Sequence, residues 1–179
     1  MAKRSYQVLS ALLAIYIVGI AAYAAMKPTP ADPIDANNTQ LIGLGQQVYA
    51  TRCAACHGAK LEGQPDWHRP GSDGRLPAPP HDESGHTWHH GERYLIHVVE
   101  RGIVAGEDRP PGYVGNMPAF GGILTRAEIA AVLSYIKSTW SYDYRAWQDR
   151  VTLAEQAALA SGQKQARTPE NESEHASGH

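Results

Sequence analysis

The chain has 179 residues, 42% of them hydrophobic, with 16 Lys and Arg against 18 Asp and Glu for a formal charge of −2. That length accommodates one compact domain of ordinary size with segments to spare at either end. The slightly acidic balance offers no basic surface for nucleic acid, and no nucleic acid partner is expected.

The chain opens on the basic run Met1-Ala2-Lys3-Arg4, and Val8 to Met26 follows without a charge, 19 residues in all. Roughly 20 apolar residues cross a bilayer as a helix. Residues 1–27 are therefore read as an N-terminal membrane anchor, with Lys3 and Arg4 holding the start in the cytoplasm and the rest of the chain on the outer, periplasmic face. The competing reading is a secretory signal cleaved near Ala22-Tyr23-Ala24, which would leave a soluble periplasmic protein. Both readings export the domain. Residues 28–39 are a Pro-rich polar linker, a stiff spacer between membrane and domain.

Residues 40–52 predict a helix with Leu41, Ile42, Leu44, Val48 and Tyr49 on its apolar side and Asn38 or Thr39 as its cap. It runs into Cys53-Ala54-Ala55-Cys56-His57. If residues 50–57 are helical, the two thiols stand on one face with the imidazole close by. This is the attachment signal for a c-type haem, in which two thioether links hold the porphyrin and the histidine reaches the iron. A disulfide between the two cysteines would close too small a loop to stabilise much. A thioredoxin-like pair wants a preceding strand, and a zinc site wants two further ligands at other spacings.

Residues 58–89 are rich in Gly, Pro, Asp and His with no sustained period, and read as loop. Leu95, Ile96, Val98 and Val99 predict a short helix over Glu92–Arg101, ended by Gly102. A second loop, 103–122, carries Met117 in Asn116-Met117-Pro118. Leaving aside Met1 and Met26, it is the one methionine available as a sixth iron ligand, and thioether ligation raises the potential of a haem. Thr125 and Glu128 form a capping box ahead of a last domain helix whose apolar side is Ile129, Val132, Leu133, Tyr135 and Ile136. No segment alternates with the period of a strand. The expected fold is all-α, helices and long loops packed around one covalent haem, within a domain spanning 40–144. Residues 145–162 read as a C-terminal helical extension. Residues 163–179, without an apolar run, read as a disordered tail.

These residues resemble a class I c-type cytochrome over about 40–140, of the small bacterial membrane-anchored monohaem kind. In that family the first and last helices cross at a glycine and an aromatic on one and an apolar residue and an aromatic on the other. Gly45 and Tyr49, with Val132 and Tyr135, stand at those places. The resemblance implies one haem c attached at Cys53 and Cys56, with His57 and Met117 as axial ligands of the iron. It also implies a proline carbonyl against the His57 ring, for which Pro77, Pro79 and Pro80 all qualify. Further residues expected around the haem are Pro79, Pro80, Trp88, Asn116 and Arg52, with Trp88 packing on it or donating its indole N–H to a propionate. His81, His86, His89 and His90 read as a polar loop near the haem edge, with a copper or zinc site as the alternative. His97 is expected at the surface, and is the rival to Met117.

The implied function is one-electron transfer without catalysis, since two protein ligands close both axial positions. A tethered carrier would pass electrons between respiratory or photosynthetic partners in the membrane, such as a quinol-oxidising complex or a terminal oxidase. The alternative functions are a haem enzyme or small-ligand sensor with a displaceable sixth ligand, or a His-rich copper or zinc protein.

Overall fold

The structure is a computed structural model that describes residues 34–103 and 114–162, all within one compact unit. The expected anchor at 1–27, half of the linker, residues 104–113 and the tail at 163–179 lie outside the described residues. Among those described, no helix is long and apolar enough to cross a membrane. All regular structure in them is helical.

Helix α1 spans Thr39–Arg52. It starts where the Asn38 carboxamide oxygen accepts from the Gln40 and Leu41 N–H groups, which would otherwise lack partners. Its buried residues are Gly45, Val48 and Tyr49, three and four apart on one stripe. Leu44, counted above in the apolar face, is 38% exposed because the stripe is centred on Gly45 and Tyr49. The helix does not run straight through the Cys-x-x-Cys-His segment. It ends at Arg52, Cys53 swings to φ −114°, and a single further turn, α2, covers Ala54–His57. Helix α3 spans Glu92–Arg101 and closes on Gly102, whose φ of +71° suits glycine.

Helix α4, Arg126–Ser138, begins with both halves of the capping box formed. The Glu128 carboxylate accepts from the Thr125 N–H at 2.8 Å, and the Thr125 hydroxyl accepts from the Glu128 N–H. It is buried nearly all round, from Ile129 to Val132 and on to Ile136. Its longest contact is with α1. A side chain at Gly45 would run into the Ala131 carbonyl and the Tyr135 β-carbon, so the two backbones touch there. Tyr49 and Tyr135 meet beside this point with ring centroids 5.5 Å apart. The aromatic pair of the expected crossing is thus in place, and Ala131 makes the closest approach while Val132 fills the core.

Helix α5, Tyr142–Ala160, starts three residues ahead of the expected extension and packs on α3 and on a short 3-10 turn at Thr87–His89. Tyr144 packs on Trp88 of the turn, and polar contacts join the helix to α3 and α4. Buried Lys137 on α4 reaches Glu92 at the start of α3 and Asp149 on α5, at 2.8 and 2.6 Å. Burial alone would lower the Lys137 pKa, but its bonds to Asp149 and Glu92 outweigh that and raise it. Thr152 and Glu155 accept from the Glu92 and Arg93 N–H groups, capping α3 from outside.

Candidate functional site

The end of α1 and the turn α2 present Cys53 and Cys56 as unpaired thiols, Cys56 exposed and Cys53 half-buried. Burial, and then the neighbouring Cys56, pushes the Cys53 thiol up to about 11. His57 follows, 7% exposed. The turn that carries it is anchored from α1 by Tyr49, whose hydroxyl donates to the Gly58 carbonyl at 2.9 Å and to the His57 carbonyl at 3.2 Å. The His57 carbonyl also accepts from the Gly63 N–H.

The His57 ring is held at its edge. Nδ1 lies 2.8 Å from the Pro79 carbonyl oxygen, so Nδ1 must carry the proton and Nε2 is the nitrogen left with a lone pair. Burial lowers the His57 pKa, and the bond to Pro79 offsets part of that. A neutral imidazole with one nitrogen committed to a carbonyl is the form that binds a metal. Two thiols and such an imidazole on consecutive turns fit a covalently linked haem. Of the three candidate prolines, Pro79 is the one that meets the ring.

Met117 is half-buried against the core. Its segment is tied down on two sides. Ile103 N–H donates to the Met117 carbonyl and Phe120 N–H to the Val99 carbonyl, fastening it to the end of α3. Leu76 N–H donates to the Val114 carbonyl, and the Arg75 guanidinium to the Asn116 side-chain oxygen, fastening it to the loop on the other side. Asn116 is thus engaged with Arg75 and exposed. Arg52 and His97 are also exposed. Pro80 is buried. Trp88 donates its indole N–H to the Gly85 carbonyl at 3.0 Å and packs on Tyr144 of α5, so that donor is already in use.

The loop histidines divide. His86, His89 and His90 lie near one another, and His86 stacks on Trp67 at 5.1 Å. Among the described residues, no group of three or more His, Cys, Asp or Glu side chains is placed to hold a metal ion. His81 stands apart from it. Its ring is stacked on His57, centroids 4.0 Å apart and planes 23° off parallel. Sequence reasoning grouped His81 with the others, and with Pro77, Pro79 and Pro80 all open as the carbonyl donor nothing in the sequence tied it to His57.

A family model described as cytochrome c matches residues 42–140. The subunit FixP of the cbb3-type cytochrome c oxidase of Azorhizobium caulinodans is 30% identical over 122 residues, 66% of this chain and 37% of that one. The cytochrome c subunit of the cytochrome bc1 complex of Mycobacterium tuberculosis is 37% identical over 81 residues, 37% of this chain and 28% of that one. The chain therefore spans 37% of the length of the first of these curated relatives and 28% of the second. Among solved structures, cytochrome CL from the marine methylotrophic bacterium Methylophaga aminisulfidivorans aligns at 19% identity with a TM-score of 0.44, covering 68% of this chain and 76% of that one.

Proposed function

The chain belongs to the cytochrome c family and carries covalently attached haem c, and on that premise we propose that it is a membrane-tethered one-electron carrier with His57 and Met117 as the axial ligands. Cys53 and Cys56 would hold the porphyrin through thioether links. The observation that carries this reading is the bond from His57 Nδ1 to the Pro79 carbonyl, which fixes the tautomer and frees Nε2 as a ligand. Bound there, haem iron supplies reversible one-electron chemistry, and a sulfur ligand raises its potential. The chain's own part is to hold both ligands in place, and the stitched segment around Met117 is suited to that. With both axial positions filled by protein, oxygen and substrates find no open site, which favours a carrier over an enzyme.

The partners we propose are a quinol-oxidising complex and a terminal oxidase. Relatives that are subunits of a cbb3-type oxidase and of a bc1 complex support partners of that kind. Residues 1–27 would tether the domain, residues 28–39 would space it from the bilayer, and electron exchange would take place on the outer face.

The test is spectroscopic. Purified protein should give a pyridine haemochrome for covalent haem and, when oxidised, a weak sulfur-to-iron charge-transfer band. Met117→Ala should abolish that band and lower the midpoint potential with the haem still attached. An unchanged band and potential in this variant, or ready carbon monoxide binding by the reduced parent at neutral pH, would refute the sulfur ligand.

A further inference from the structure

A hydrogen bond at one edge leaves an imidazole free to rock about that contact. His57 is held this way by Pro79, and its face must be held by something else. What lies against the face is the ring of His81 at 4.0 Å, itself immobilised at three points. Its Nδ1 is 2.8 Å from the hydroxyl of buried Thr87. Its N–H donates to the Leu61 carbonyl at 2.7 Å. Its carbonyl accepts from the indole N–H of Trp140, also buried, at 2.8 Å. The short segment 79–81 thus grips one ring twice, at the edge by the Pro79 carbonyl and on the face by the His81 ring.

We propose that His81 is a positioning residue for the haem-ligating imidazole, fixing the plane of the His57 ring by stacking and tuning the iron through it. This rests on the reading of His57 as an axial ligand. A flat, anchored ring would restrict rotation of the ligand plane, to which the electronic symmetry of the oxidised iron is sensitive. It also supplies polarity where a hydrocarbon would serve for packing. Bonded to the Thr87 hydroxyl, the His81 ring sets a polar group against the face of His57. A polar neighbour favours the more highly charged, oxidised state of a buried redox centre, and an apolar one favours the reduced state.

The experiment compares full-length, haem-loaded parent with His81→Leu, His81→Phe and Thr87→Val. Low-temperature electron paramagnetic resonance of the oxidised proteins and their midpoint potentials are the readouts. His81→Leu should retain covalent haem and a low-spin spectrum, shift the g-values and raise the midpoint. His81→Phe, which restores a flat face, should recover the parental g-values and keep the raised midpoint. Thr87→Val leaves the ring but frees it to turn, and should broaden or double the resonance; it decides the matter if the His81 variants do not fold. Parental g-values and midpoint throughout would overturn the proposal. His57→Gly separates the two claims: a low-spin spectrum surviving in that variant would remove His57 as ligand, whatever His81 does.

Discussion

Tyr49 joins two jobs in one side chain. Its ring fills the crossing of α1 with α4, and its hydroxyl donates to both carbonyls at the end of the attachment turn. Burial raises the pKa of this phenol, so the donor is retained across the whole physiological range. Tyr49→Phe keeps the packing and removes the donor, leaving the carbonyls of His57 and Gly58 to share what remains. The expected loss is about 1–3 kcal/mol in a denaturant titration, with the haem still bound. The motif residues themselves were legible in the sequence because five consecutive letters define them. The choice among Pro77, Pro79 and Pro80 was not, since any of three prolines in one loop offers a carbonyl. Which one arrives depends on contacts between distant segments, such as Gln64 N–H to the Ala78 carbonyl and His81 N–H to that of Leu61. His81 was hidden for the same reason, because a histidine in a histidine-rich loop carries no local sign of what its ring will face.

At the scale of elements, two positions decide how the helices start and meet. Thr125 and Glu128 satisfy each other's backbone at the head of α4, and Thr125→Ala should cost about 1 kcal/mol in unfolding free energy. Gly45 faces backbone, which cannot swing aside as a flexible side chain would. Gly45→Val should therefore force α1 and α4 apart and lower stability by roughly 1–3 kcal/mol or more, seen as a fall in melting temperature of the haem-loaded protein. Both features could be anticipated, one from a spacing of Thr and Glu in the sequence, the other from the family resemblance that places a glycine at the crossing. A helix at α5 was also legible, but its start and the polar part of its docking were not. Beside the packing of Tyr144 on Trp88, its contacts run through Lys137, Asp149, Thr152 and Glu155, and a hydrophobic period is blind to polar contacts of that kind. Lys137→Met would leave Glu92 with an uncompensated charge in a half-buried place, an expected loss of roughly 1–3 kcal/mol. Asp149→Asn should cost less than about 1 kcal/mol, because the Asp149 side chain is 59% exposed. Paired denaturation curves of the two variants check the order.

At the scale of the molecule, the histidine-bearing loop makes folding sensitive to acid. His86 is held down to about 4, by burial first and then by His89, and its Nδ1 is buried without a partner. In the unfolded chain the same ring takes up a proton near pH 6.5. Between pH 6.5 and 4 the unfolded state therefore binds more protons, and stability falls as the pH drops through that window, by up to about 3 kcal/mol from this ring. His86→Phe should flatten the acid limb of a stability–pH curve and leave the values above pH 7 nearly unchanged.

Gly63 and Gly85, far apart in the loop, both lie against Pro80. A β-carbon at either would meet the backbone on one side or the other of that residue, and Gly63 also has a φ of +67°. Nothing larger fits on either flank without pushing the neighbouring Pro79 carbonyl off the His57 ring. In a library randomised along the loop and scored by colony redness, these two positions should be among the most intolerant, ahead of the many charged and aromatic letters around them. Inheritance of pigment would then track two residues that act through the backbone of Pro80.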